Sequence, residues 1–272
     1  MNGPILVTGA HRSGTTWIGK MLALAPGIGY IHEPFSPRTA PGVSSAPFDE
    51  YYTRVTRENE SLYLPGLERT LRFEYGYRAQ LRALRSPAEA VRAAQDAIAF
   101  SRARRSQARP LVKDPIALLS AEWLAGRFEM DVVVTIRHPA AFAASVLRLG
   151  WSNSLDEAAA LWADLYATVA AYRERHTDWE FVRHEDASRE PLPTFERLYE
   201  RLGLELTPRV RKEIVGHSAP GNPVRPRSRH AVRADSAAVA ESWRTYFDAD
   251  ETARLREATL EVWPRFYSDE DW

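Results

Sequence analysis

Val7-Thr8-Gly9-Ala10-His11-Arg12-Ser13-Gly14-Thr15-Thr16-Trp17 decides how this chain is read. The short apolar run Pro4-Ile5-Leu6-Val7 leads into it, and Trp17-Ile18-Gly19-Lys20-Met21-Leu22-Ala23-Leu24 follows as an amphipathic run. The order is strand, glycine-bounded turn, helix. Such a turn aims backbone N–H groups and a helix N-terminus at one point, which makes a cradle for an anion. The spacing Gly9-x4-Gly14 fits a P-loop, but Thr15 stands where the P-loop lysine belongs. The cation is Arg12, inside the turn. The pattern suits a phosphate-like group rather than a nucleoside triphosphate with magnesium.

Working outward, residues 4–9 read as a buried strand and 14–25 as a helix stopped by Pro26-Gly27. Ile28-Gly29-Tyr30-Ile31 reads as a second strand ending at His32-Glu33-Pro34. Residues 35–60, rich in Pro, Ser, Thr, Gly and charge, read as a long irregular excursion, a lid or binding loop. Residues 61–108 read as helical. Ser86-Pro87 opens one helix, with Ala88, Val91, Ala94, Ala97 and Ile98 at helical spacing. Pro110–Lys113 is the third strand and 117–128 a helix. Met130–Ile136 is the strongest strand, a β-branched run of the kind buried on both faces of a parallel sheet. Pro139 opens a helix over 140–149, and another covers 155–175. Trp179–Val182 is the fifth strand. Helices are predicted at 194–202, 208–216, 236–247 and 249–263, interrupted by the Arg- and Pro-rich stretch 219–234.

Strands alternating with helices predict a three-layer α/β/α fold, P-loop NTPase-like, around a central, mostly parallel sheet of about five strands. The expected organisation is a single domain over residues 1–272. Its 35–108 excursion would form a binding pocket, lined by Phe35, Phe48, Tyr51, Tyr52 and Tyr63. The C-terminal aromatics at 243, 246, 247, 263, 266, 267 and 272 read as core.

Composition narrows the function. Apolar residues make up 44% of the 272, and charged residues 26%, as in a globular protein with a sizeable core. The formal net charge is zero, so bulk attraction to nucleic acid or an anionic membrane is not expected. There is no cysteine, which excludes thiol catalysis and Cys-based metal sites. No histidine pair has metal-ligand spacing, so no metal site is expected. The absence of a leader before Pro4 and of an apolar span of about 20 residues points to a cytoplasmic setting.

The unusual polar residues all fall after strands: 9–16, 32–33, 113–114, 137–138 and 184–186. In an open parallel sheet those strand ends share one edge, where ligands bind. Arg137 occupies a position at which nucleotide triphosphatases often carry a magnesium-binding aspartate. Ser145 follows eight residues on, and together they make a clamp for a phosphate monoester. Glu33 is a general-base candidate, or a salt-bridge partner. Lys113, one of only three lysines among the 36 Lys+Arg residues, is placed to stabilise a leaving oxygen. Asp114 orients Lys113 or holds Arg12. His184-Glu185-Asp186 lines a nucleotide base or caps the next segment, and Trp17 sits near the bound anion.

These residues resemble the sulfotransferases that use 3′-phosphoadenosine-5′-phosphosulfate (PAPS), in a bacterial-type branch with a glutamate base, of the kind suited to secondary metabolism. The turn Arg12-Ser13-Gly14-Thr15-Thr16-Trp17, the Arg137/Ser145 pair, Glu185-Asp186 and the Trp243-to-Phe247 segment carry the resemblance, in order, over nearly the whole chain. It implies metal-free, in-line transfer of a sulfuryl group from PAPS to a hydroxyl of a small-molecule, lipid or sugar acceptor, leaving PAP. It implies Glu33, Lys113 and Arg12 as catalytic residues. Donor contacts would come from His11, Arg12, Ser13, Gly14, Thr15, Thr16, Trp17, Arg137, Ser145 and His184, with Arg227 and Arg229 from the basic loop 225–233. Pro115 replaces the histidine base of the cytosolic small-molecule branch, and the loop's Arg-Lys-Gly triplet is absent. A homodimer is left open. The competing reading is a P-loop small-molecule kinase using ATP with magnesium, and a third is a non-catalytic nucleotide-binding module.

Overall fold

Val132-Val133-Val134-Thr135-Ile136 is buried throughout, as an apolar β-branched run must be when helices cover both faces of its sheet. In the computed structural model, which describes residues 3–223 and 233–272, this run is strand β4 (Asp131–Ile136) of a five-stranded sheet. The others are β1 (Ile5–Gly9), β2 (Ile28–His32), β3 (Arg109–Lys113) and β5 (Glu180–Arg183). Their order is β2-β3-β1-β4-β5, with parallel ladders at β2/β3, β3/β1 and β4/β5.

Twelve α-helices are present among the described residues. They are α1 (Thr15–Leu22), α2 (Glu60–Leu71), α3 (Tyr77–Ala83), α4 (Pro87–Arg105), α5 (Ala121–Phe128), α6 (Pro139–Arg148), α7 (Leu155–Arg175), α8 (His184–Arg189), α9 (Pro191–Arg201), α10 (Pro208–Ser218), α11 (Ser236–Glu241) and α12 (Ala249–Ala258). Proline at the first helical turn opens α4, α6, α9 and α10, where its missing N–H costs nothing. Ser86 and Ser154 cap α4 and α7 by accepting the N–H of Glu89 and Glu157.

The chain divides into two compact units, one of residues up to Thr8 with Leu22–Val132, the other of Gly9–Met21 with Val133–Trp272. In the first, Phe48 stacks between Phe35 and Tyr63 with ring centroids 4.2 and 4.6 Å apart. All three are buried, so they form core instead of the open aromatic lining expected; only Tyr51 of that set is exposed. Helix α4 is also turned from its expected face. It buries Ala93, Phe100 and Ala103, and leaves Val91 and Ile98 57% and 58% exposed. In the second unit α6 is buried from Pro139 to Val146, and α7 sends Trp162 and Tyr166, themselves stacked, into the interior.

Several boundaries differ from expectation. Helix α1 stops at Leu22, and Ala25 closes a turn onto its carbonyl. The stretch 117–128 begins as a 3₁₀ turn, Ile116–Ser120, before α5. Helix α10 runs through Gly216 to Ser218. The two C-terminal helices are shorter than predicted, with 3₁₀ turns at Ser242–Thr245 and Trp263–Arg265. The C-terminal aromatics Trp243, Phe247, Trp263, Phe266 and Tyr267 are core, while Tyr246 is exposed. No helix among the described residues is long and apolar enough to cross a membrane.

Candidate active site

After β1 the chain turns through Gly9 (φ 143°), Arg12 (φ 65°) and Gly14 (φ 94°) before α1 begins at Thr15. The two glycines are there for space as well as φ. A Cβ on Gly9 would lie 2.4 Å from the Thr135 carbonyl oxygen, and one on Gly14 2.5 Å from Nδ1 of His184. Ser13 faces inward: its hydroxyl donates to the Ala10 carbonyl at 2.5 Å and hydrogen-bonds Thr135 Oγ1. What Ser13 can offer a ligand is therefore its backbone. Thr15 is buried and Thr16 half-buried at the start of α1.

Three sequence-predicted residues meet here. Arg12 Nε donates to Ser145 Oγ at 3.0 Å, and Arg137 Nη1 donates to the Arg12 carbonyl. Ser145 accepts in this bond, so its O–H is still available to donate. Arg137 is buried, and its Nε has no hydrogen-bond partner among the described residues. Burial pulls its pKa down, and Glu185 works against that pull. A buried guanidinium with an unsatisfied donor is costly unless an anion meets it.

Two side chains of α7, which the sequence reading passed over, fix Arg137 by its backbone. Tyr166 Oη accepts the Arg137 N–H at 2.8 Å, and Trp162 Nε1 donates to the Arg137 carbonyl at 2.9 Å. His138 is held beside it. Its N–H donates to Glu185 Oε1, its ring stacks on Trp243 (4.8 Å), and Tyr267 and Trp272 meet it edge-on. Glu185 also accepts from Tyr267 Oη at 2.9 Å, so this buried carboxylate joins the strand end to the C-terminal segment. Asp186 is exposed and paired with Arg183.

His184 stands behind Gly14, its ring 5.7 Å from Trp17 and edge-on to it. Burial, then the charges of Arg137 and Arg12, push its pKa down to about 3, so the ring is neutral. Nδ1 of His184 and Nε1 of Trp17 are both buried without a hydrogen-bond partner among the described residues. Trp17 is buried, also edge-on to Phe195. The His11 ring lies 5.2 Å from Phe142 and 5.6 Å from Trp151, and burial with Arg12 lowers its pKa to about 4. Trp151, 48% exposed and 5.9 Å from the Arg12 guanidinium, is a further neighbour that no local sequence pattern marks.

In the other unit Lys113 and Glu33 pair. Lys113 Nζ donates to Glu33 Oε1, and the Glu33 N–H donates to the Lys113 carbonyl at 2.8 Å. The lysine is fully buried; the Glu33 side chain is a quarter exposed. Glu33 has φ 46°, a left-handed backbone that costs a non-glycine residue about 1–2 kcal/mol. Asp114, on which the Lys113 charge acts, also serves the backbone. Its oxygens take the N–H groups of Phe35 (2.7 Å) and Ile116 (2.9 Å), which ties the loop after Glu33 to the end of β3. Burial raises its pKa to about 7. His32 is exposed on the neighbouring position of β2. Arg225, Arg227 and Arg229 lie outside the described residues; Arg233 bonds Asn222 at 3.0 Å.

The sulfotransferase family profile matches residues 4–208, three quarters of the chain, and the chain belongs to that family. No protein of curated function matches it. Solved structures of similar fold include the sulfotransferase domain from the curacin biosynthetic pathway, 16% identical over 96% of this chain and 98% of that one, with a TM-score of 0.53. A mouse sulfotransferase complexed with PAP is 13% identical over 100% and 86%, also at 0.53. A sulfotransferase from Mycobacterium avium is 16% identical over 97% and 77%, at 0.51.

Proposed function

We propose that this sulfotransferase takes its sulfuryl group from PAPS and moves it to a hydroxyl of a small-molecule, lipid or sugar acceptor without a metal, releasing PAP. The observation that carries the reading is the meeting of Arg12, Arg137 and Ser145, two guanidiniums and a hydroxyl, with the Arg137 Nε buried and unsatisfied. A 3′-phosphate satisfies that nitrogen and the Ser145 O–H together. The mouse protein of similar fold was solved with PAP, which supports the same choice of nucleotide.

In this reading Arg12 and the backbone of 13–17 hold the phosphosulfate, at the turn and the N-terminus of α1. Trp17 and His184 flank the same turn, His11 borders it, and Arg227 and Arg229 complete the grip on the nucleotide. PAPS, when bound, supplies the sulfuryl group and a good leaving group. The protein's task is then positioning and electrostatics, as in phosphoryl transfer through a loose transition state. Lys113, held by Glu33 at the end of β3, stabilises the charge that develops on the departing oxygen. Glu33 takes the acceptor's hydroxyl proton, and the 35–108 segment supplies the acceptor side of one sulfotransferase domain.

Thermal denaturation with PAP and with ATP-magnesium tests the donor. PAP at a hundred times its Kd stabilises by about 2.7 kcal/mol and raises Tm, and ATP-magnesium does not. Transfer to hydroxyl acceptors persists in EDTA. Stabilisation by ATP-magnesium alone would overturn the assignment and restore the kinase reading.

A further inference from the structure

Between the loop that follows Glu33 and helices α2 and α3 lies a cleft of about 520 Å³, within the range of small-molecule sites. Its charge is lopsided. Arg69 of α2 and Arg78 and Arg82 of α3 line it, against one carboxylate, Glu74. Glu74 is already engaged by Arg69 at 3.7 Å and by Arg104 at 3.8 Å. Arg78 and Arg82 have no ion pair among the described residues. They are four apart on one helix face, where like charges repel. Two arginines on one face of a seven-residue helix are a cost to the empty protein that an anion removes.

Apart from Ser45 and Thr70, the rest of the cleft is lined by glycine and by apolar or aromatic residues. Tyr75 is buried, with its hydroxyl donated to the Ala93 carbonyl at 3.1 Å, and Tyr77 meets it edge-on at 5.0 Å. A Cβ on Gly42 would lie 2.3 Å from the Tyr75 ring, so the loop backbone packs directly on that ring. Tyr77 is half-exposed, which leaves an aromatic surface for a ligand's apolar body.

We propose that this cleft binds an amphipathic anion, its carboxylate or phosphate held by Arg78, Arg82 and Arg69 and its apolar body laid on Tyr77 and Val43. Guanidinium pairs grip carboxylate and phosphate bidentately, and a surface pair of this kind is weakened by salt.

The probe is n-octyl phosphate, titrated calorimetrically into wild type and into the exposed-site variants Arg78→Ala/Arg82→Ala and Arg78→Lys/Arg82→Lys. The alanine pair is expected to weaken binding at least tenfold, and the lysine pair to restore part of it. Octanol and inorganic phosphate bind at least tenfold more weakly than octyl phosphate, because each offers half of the ligand. Equal affinity in wild type and the alanine pair, or octanol or inorganic phosphate binding as tightly as octyl phosphate, overturns the proposal. PAP titrated into the same samples keeps the two readings apart. Arginine-dependent octyl phosphate binding without any PAP binding removes the donor assignment and leaves the anion site standing.

Discussion

Arg137 is held by its backbone before any ligand arrives: N–H to Tyr166, carbonyl to Trp162, with one guanidinium nitrogen on the Arg12 carbonyl. A pre-positioned guanidinium loses little entropy on meeting a phosphate, and charged hydrogen bonds contribute about 1.5–3 kcal/mol each. Arg137→Ala is therefore expected to weaken PAP about 100-fold, measured by calorimetry, with the fold retained; unchanged affinity would remove Arg137 from the donor site. Glu33 separates chemistry from binding. Glu33→Gln keeps the side-chain shape and an acceptor for Lys113 but cannot take a proton, so kcat should fall about 10²–10⁴-fold while the PAP Kd stays put. Near-full turnover would show that the Lys113 pair is structural. The positions of Arg137 and Glu33 at strand ends were legible because β-branched residues mark the strands that precede them. Trp162 and Tyr166 were not, since their effect on Arg137 depends on tertiary packing that no local pattern records. The backbone role of Asp114 is hidden from the sequence for the same reason: the N–H groups it accepts belong to Phe35 and Ile116, one of them far away in sequence.

Helix α4 shows where periodicity fails at the scale of an element. Its N-terminus was readable because Ser86 and Pro87 act locally, through a cap and a fixed φ. Its buried face was not, because alanine is so common along it that two faces read as equally apolar. Phe100 settles the matter, meeting Phe73 edge-on at 5.5 Å and Tyr75 at 5.8 Å, while Val91 and Ile98 look outward. Phe100→Ala should cost about 3–5 kcal/mol in denaturant unfolding, and Val91→Glu should stay within about 0.5 kcal/mol of wild type. The reverse ranking would mean that the exposed face is covered by something else. The aromatic excursion after β2 taught the same lesson: Phe35, Phe48 and Tyr63 have the composition of a ligand wall, yet stacking on one another buries them. The alternation of strands and helices, by contrast, was plain, because the β-branched run of β4 and the proline-opened helices each carry a local signature.

Across the whole molecule, the parallel sheet sets charged and titratable residues at its strand ends, and burial there shifts their protonation. His138 is the clearest case. Burial, with Arg244, Arg183 and Arg137 against Asp271, lowers its pKa to about 3. The Ala140 N–H donates to its Nδ1, a bond that a proton on that nitrogen would break, while its N–H neighbour Glu185 accepts from the backbone and not from the ring. The folded pKa lies below the ordinary value near 6.5, so between about pH 3 and 6.5 the unfolded chain holds a proton that the folded protein does not. Stability from this group is complete above that window and declines as pH falls through it, by about 1.4 kcal/mol per pH unit. His11 and His184, lowered to about 4 and about 3, act in the same direction. Asp114, raised to about 7, and Glu185, also raised, act in the opposite one, since each holds a proton in the folded state to higher pH. The absolute curve is a balance of these groups, so the decisive quantity is a difference. His138→Gln cannot titrate; relative to wild type it should take up one fewer proton on unfolding between pH 4 and 6. Its unfolding free energy, followed by urea titration at each pH, should therefore fall less steeply as the medium is acidified, whatever its offset at pH 7. Parallel curves for the two proteins would mean that His138 is protonated inside the fold, and that the aromatic enclosure by Trp243, Tyr267 and Trp272 does not exclude the charge.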